Sequence, residues 1–335
     1  MARLGAARSR NRTRSVRENV TRATARILPI VLAASVMAAA RPAHACSICR
    51  CGDPTFNALG LTGVSLQGLR LALDWDRLEK SQGSAANGDL ESNTEERQTF
   101  LLGYSPSDDW GLYFRMPYGS RDLTESEDGE LEETHSSGLG DPELYGQRRL
   151  WSSAFDGRLG IRSSIFALFG VKTSWGDNDL QRDGERLDEH AQIGTGSTDW
   201  FGGFSGSHQL NPHSALFASV QYRATGSNDF GYEYGDVVLG NLAYEHKLSS
   251  RFDAVIEANY RHADRDRVNH AGELDPNTGG GMLYVTPRLL VDLGRGWIVR
   301  AAVQVPVAER LNGEQDEDPV WNLGVTYLVK HGSTP

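Results

Sequence analysis

Three cysteines fall within six residues, in the run Cys46-Ser-Ile-Cys49-Arg-Cys51, and the chain has no others. A CxxCxC spacing lets thiolates converge on a soft ion, Cu(I) or Zn²⁺. Three thiols fall short of a four-cysteine zinc site, so the N-terminal amine, Asp53 or a partner protein would supply the fourth ligand. The same residues also allow a disulfide between two of the three, which leaves one odd thiol. Acylation of Cys46 is a third chemistry, although Ala43-His44-Ala45 before it is a poor lipobox. No CxxCH occurs, so covalent haem attachment is not indicated. A second chemical set is spread along the chain: Arg70, Asp74, Arg115, Glu143, Arg149, Arg162, Lys172, Arg223, Glu257, Arg261, Arg288 and Arg300. On the register derived below, all twelve lie on the polar faces of strands and line a lumen. They form either a wet, selective constriction or a salt-bridged filling that closes it. Their excess of arginine over acid favours anionic solutes.

Both sets depend on the elements that carry them. Residues 1–26 hold eight arginines and one acid, and residues 27–40 are an apolar run of 14. With Ala43-x-Ala45 this reads as a signal peptide over 1–45, too short in its apolar run for a stop-transfer helix. The exported chain then has 25 basic and 43 acidic residues, a net charge of −18. Such acidity repels phosphates and disfavours nucleic acid as a partner. Export also puts the thiols in an oxidising compartment. Residues 46–60 form a periplasmic cysteine-rich segment, a tail or a small plug, and 61–330 form the main domain.

That domain alternates with period 2. Trp297, Val299, Ala301, Val303 and Val305 share one face, and Arg300, Ala302 and Gln304 the other. Phe252, Ala254, Ile256, Ala258 and Tyr260 oppose Asp253, Glu257, Asn259 and Arg261 in the same way. Each such segment is a strand with an apolar and a polar face. Twelve are predicted, near 61–78, 94–105, 110–121, 139–151, 157–175, 196–210, 214–226, 232–248, 251–264, 281–293, 296–309 and 319–330. Short connections alternate with mostly long ones, such as 79–93, 122–138, 176–195 and 265–280. An even number of long alternating strands with this asymmetry predicts an all-β fold, an antiparallel up-and-down transmembrane barrel of the outer membrane. Lipid cannot satisfy backbone polar groups, so the sheet must close on itself. Trp75, Trp110, Tyr118, Trp175, Trp200, Tyr222, Tyr232, Tyr244, Trp297, Trp321 and Tyr327 are placed as interface girdles. With both termini in the periplasm, short turns are periplasmic and long loops extracellular. The loop DLTESEDGELEE (122–133) carries seven acids and no base, a solvated and self-repelling surface, or a site for cations that bridge lipopolysaccharide. The run 177–190 only loosely matches a calcium loop, lacking the required Asp/Asn-Gly order.

The segments GLGDPEL (138–144), GTGSTDW (194–200) and YGDVVLGNLAYEHKL (234–248) resemble recurring signatures of outer-membrane barrels labelled transporters of the phenol-degradation MetA-pathway type. The resemblance covers most of 60–330 and implies a porin-like channel for small molecules. Such barrels commonly end in an aromatic residue recognised by the barrel-assembly machinery. Here Tyr327 is the last aromatic and LVKHGSTP follows it. The glycine-rich segments are not dinucleotide loops, because no helix pattern follows them. A lipase-type barrel would need a Ser/His pair on the lipid face at the outer leaflet, whereas His208 and His246 sit beside short turns. No enzymatic constellation is found. The expected function is passage of small solutes, with lipid and lipopolysaccharide as surroundings and a thiol metal or redox site at the N-terminus. The alternative is a non-conducting scaffold that presents the cysteines to a periplasmic metal-handling or electron-transfer partner.

Overall fold

Period-2 alternation gives a strand two unlike faces, and a closed sheet is the arrangement that hides one of them completely. The computed structural model describes residues 67–82, 91–127, 130–153, 163–268, 272–276, 278–312 and 315–330. Its strands are β1 (Gly68–Gln82), β2 (Glu91–Ser107), β3 (Trp110–Glu127), β4 (Glu130–Leu139), β5 (Glu143–Ser152), β6 (Ser163–Lys172), β7 (Gln181–Arg182), β8 (Glu185–Arg186), β9 (Asp199–Asn211), β10 (Ser214–Ala224), β11 (Val237–Lys247), β12 (Phe252–Ala263), β13 (Arg267–Val268), β14 (Glu273–Leu274), β15 (Gly280–Gly294), β16 (Trp297–Leu311), β17 (Gln315–Glu317) and β18 (Val320–Lys330). The pairs β7–β8 and β13–β14 are small hairpins outside the wall. All others form one antiparallel sheet. It closes because β1 pairs with β2 on one edge and with β17 and β18 on the other. Two staves are interrupted: β4 and β5 at Gly140–Pro142, and β17 and β18 at Asp318–Pro319. Proline has no N–H for a ladder, which accounts for a break at each. Counting each broken pair once gives twelve staves.

The predicted faces are the observed ones. Along β12, Phe252, Ile256 and Tyr260 are exposed, while Glu257, Asn259 and Arg261 are buried. Exposed apolar side chains recur around the wall, among them Leu73, Leu102, Leu112, Leu144, Phe169, Phe204, Val220, Leu242, Ile256, Leu289 and Leu323. A soluble monomer rarely exposes an apolar patch beyond a few hundred Å². A belt that encircles the barrel is the lipid-facing surface of an outer-membrane protein. Short turns and both ends of the closed sheet lie together at one end. One tight turn, Gly294-Arg295-Gly296, runs through φ values of 81, 53 and 89°, which the flanking glycines adopt without steric cost.

Two expectations fail. The acidic stretch 122–133 is no loose loop, since β3 and β4 pair in register from Tyr118–Leu139 to Glu127–Glu130 as a projecting hairpin. Tyr232 is not an interface aromatic. It is buried in the connection before β11, where its hydroxyl donates to Asp266 at 2.6 Å and its ring meets Tyr234 edge-on. Trp75 is only half-exposed, whereas Trp110, Trp175, Trp200, Tyr222, Trp297 and Trp321 are exposed, as girdle residues must be.

Candidate functional site

Twelve staves enclose more room than side chains of an eight-stave barrel fill, and less than an open porin needs. The interior is divided accordingly. Staves β12, β15, β16, β18 and β1 carry a continuous polar web. Arg288 Nε donates to Glu257 at 2.6 Å, and Arg288 Nη1 to Asn322 at 3.2 Å. Asn322 donates to Asp76 at 2.7 Å, and Arg97 of β2 reaches the same aspartate at 3.4 Å. Thr286 donates to Asn259, and Asn259 to Glu257, at 2.7 and 3.2 Å. Arg300 pairs with Asp74 and bonds Thr326. Nearer the long connections, Glu317 accepts from Arg261 at 2.7 Å and from Tyr284, with Lys80 at 3.4 Å. Burying a charge is costly unless it is paired, and each charge of the web has an opposite partner, although Arg288 Nη2 and Arg300 Nε make no hydrogen bond.

The other half, from β2 round to β11, holds a chamber of about 190 Å³. Its ionic centre is Lys172 at the end of β6. The ammonium lies 3.2 Å from Asp141 and 3.1 Å from Asp199, and donates to Thr195 and Ser197. Asp141 also accepts from the Gly176 and Thr195 amides at 3.0 and 2.7 Å. Beside it, Glu143 receives Arg223 at 2.6 Å and Arg115 at 3.0 Å. The Arg223–Glu143 bond joins staves that are not neighbours, so it ties the wall across the interior. Below lies an apolar layer of Leu101, Tyr113, Tyr145, Phe201 and Leu168. Tyr113 stacks on Tyr145 at 5.0 Å. Gly170 opens the space, because a Cβ there would meet both Tyr145 and the Phe201 ring.

The long connection 173–198 roofs the chamber. Its hairpin, 181–186, faces solvent, but the part after it turns inward: Ala191, Gln192 and Ile193 are almost wholly buried. At the β4 edge Asp177 N donates to Leu139 O at 2.7 Å, and Leu139 N donates to the Asp177 carboxylate at 2.7 Å. Ser136 donates to Ala191 O at 2.6 Å, and Arg121 donates to His190 O. The Asn228 amide reaches Thr195 O at 3.1 Å from the connection before β11. Gly194 packs so closely on Gly176 that any side chain at Gly194 would strike backbone.

Arg70, Asp74, Arg115, Glu143, Arg149, Lys172, Arg223, Glu257, Arg261, Arg288 and Arg300 all fall on the inward face. Asp74, Glu257, Arg261, Arg288 and Arg300 belong to the web, and Arg115, Glu143, Lys172 and Arg223 to the chamber. Arg70 sits opposite Gly103, one inward position before Ala72. Arg149 lies apart at the short-turn end, paired with Asp109 at 2.7 Å. Arg162, the signal segment and Cys46, Cys49 and Cys51 lie outside the described residues. Asp76, Glu95, Asp141, Asp199 and Glu317 were not foreseen as interior acids, nor Lys80, Arg97 and Arg121 as interior bases, and together they reduce the expected arginine excess. Asp141 and Asp199 stand inside the GLGDPEL and GTGSTDW motifs, so an aspartate shared by two glycine-rich motifs was the available signal. The structure brings Ser163 to His208 at 2.6 Å and Ser214 to His246 at 2.8 Å, both outward beside short turns. Among the described residues, neither histidine bonds a carboxylate, so no triad is completed.

Neither a protein-family model nor a curated protein matches the sequence. Solved structures match by fold. A crystal structure of an outer membrane channel from Pseudomonas putida F1 superposes with TM-score 0.61 at 13% identity, covering 80% of this chain and 98% of that one. The translocator domain of the autotransporter NalP from Neisseria meningitidis gives 0.44 at 12% identity, covering 79% and 90%. A deltaS2 mutant of the TodX monoaromatic hydrocarbon channel gives 0.45 at 9%, covering 81% and 92%. The first of these shares the outer-membrane barrel fold, in agreement with the resemblance seen in the motifs.

Proposed function

We propose that this barrel passes small solutes across the outer membrane, by way of the chamber between β2 and β11. The supporting observation is the chamber itself: half of the interior is packed with paired charges, and the other half keeps about 190 Å³ free. The roof over it is held by side-chain hydrogen bonds and by single backbone bonds, Asp177 N to Leu139 O and Thr173 N to Pro142 O, rather than by a strand ladder, so on this reading it is the element that moves to admit a solute. Reconstitution into liposomes tests the reading. Swelling in isotonic small solutes above the rate of protein-free liposomes is the expected result. A folded barrel that leaves the rate unchanged for every solute overturns it.

The continuous ionic web favours a second reading, a closed scaffold that serves a periplasmic partner through Cys46, Cys49 and Cys51. Absence of swelling together with partner or Cu(I) binding lost on Cys→Ser substitution is what that reading requires.

A further inference from the structure

We infer that the chamber selects uncharged solutes that combine an apolar part with a hydrogen-bonding group, and that it rejects ions of either sign. This rests on the channel reading only for its transport consequence, since binding in the chamber does not require passage.

Charge balance is the first ground. Four acids and four bases border the chamber. Lys172 is held between Asp141 and Asp199, and Glu143 between Arg115 and Arg223. Glu95 is paired with Arg121 at 2.6 Å, and Arg97 with Asp76 at 3.4 Å. An entering anion must detach a base from its buried acid, and an entering cation must do the reverse. Either strands a charge in a poorly solvated place. The remaining lining is the second ground. Gln147, Ser205, Ser219, Gln221 and Asn241 offer amides and hydroxyls, and Leu168, Phe201, Val237 and Leu239 offer apolar surface. Gln147 bonds Ser205 at 3.3 Å and Asn241 bonds Ser219 at 3.1 Å, so these groups stand in the lining as hydrogen-bonding neighbours of the apolar surface. Size is the third. A cavity of about 150 Å³ takes a benzene molecule, so this chamber suits roughly eight non-hydrogen atoms.

Four chains of similar length separate the alternatives: pentanamide, pentanoate, pentylammonium and the zwitterion 5-aminopentanoate. Saturation-transfer NMR on the detergent-solubilised full chain reads binding. Uptake into liposomes, corrected for protein-free liposomes, reads passage. Pentanamide is expected to bind, and to enter about tenfold or more faster than either ion. Equal uptake of all four, or preference for an ion or for the zwitterion, overturns the inference while leaving a channel. Binding of pentanamide without uptake sustains the inference and overturns the channel. Glu143→Gln, which removes the acid that Arg115 and Arg223 share and leaves Arg223 with Asp199 at 3.8 Å, should make pentanoate enter faster than pentylammonium. Gln221→Glu, which adds an unpaired acid to the same wall, should reverse that order. If both variants fold and keep the wild-type ranking, the charge argument fails.

Discussion

Lys172 shows what a single residue does inside this barrel. Its ammonium neutralises two aspartates that come from different staves, and it bonds the roof through Thr195 and Ser197. Lys172→Met would leave Asp141 buried without its base, and Asp199 with Arg223 alone, at 3.8 Å. Removing one partner from a buried ionic group typically costs about 3–5 kcal/mol. The expected outcome is a lower urea midpoint in lipid vesicles, together with new protease cleavage within 176–192 as the roof loosens. An unchanged midpoint would mean that the aspartates are solvated. The lysine was legible in the sequence, because it falls on the polar side of an alternating run. Its acids were not, because Asp141 and Asp199 sit at strand ends and breaks, where alternation carries no information. Tyr232 misled for a related reason. An aromatic near a strand end reads the same whether it faces the interface or, as here, turns inward to reach Asp266.

At the scale of elements, strand existence was legible and the fate of the long connections was not. Alternation reports a strand only where its two faces meet different surroundings. The β3–β4 hairpin rises beyond the apolar belt, so both faces are polar and its acidic tip reads as a loop. The roof 173–198 has no period at all. Its burial comes from contacts with β3, β4 and the connection before β11, all distant in sequence. The hairpin tip pairs with itself from Glu125–Glu132 to Glu127–Glu130, and meets the rest where Glu125 faces Glu91 of β2 and Glu132 meets Arg182 at 2.9 Å on the surface. Replacing residues 125–132 by Asn-Gly, a preferred two-residue turn, should therefore leave the wall intact. Unheated protein should keep its faster gel migration, and the unfolding midpoint should stay within about 0.5 kcal/mol of wild type. Loss of the folded band would make the hairpin part of the barrel's stability rather than an appendage.

For the whole molecule, the decisive property is inversion: charge inside, apolar side chains outside. The interior web and the outer belt are two consequences of one alternation, so a shift of register by one residue would expose the web to lipid and bury the belt. That coupling makes the orientation testable with one substitution and its control. Leu242 is 55% exposed at the middle of β11, and Asn241 beside it points inward to Ser219. If the belt faces hydrocarbon, Leu242→Arg places a charge near the bilayer midplane and costs about 2–4 kcal/mol. Ser250, in the short turn between β11 and β12, is also exposed but lies at the membrane edge, where arginine should cost about 0–1 kcal/mol. Reversible unfolding in phospholipid vesicles reads both. In water an exposed leucine replaced by arginine is close to neutral, so two small and equal effects would put the belt in solvent and remove the membrane assignment. A large effect at Leu242 alone requires that the twelve staves stand in lipid, and the paired charges within them then follow, since a barrel so placed has nowhere else to keep its polar face.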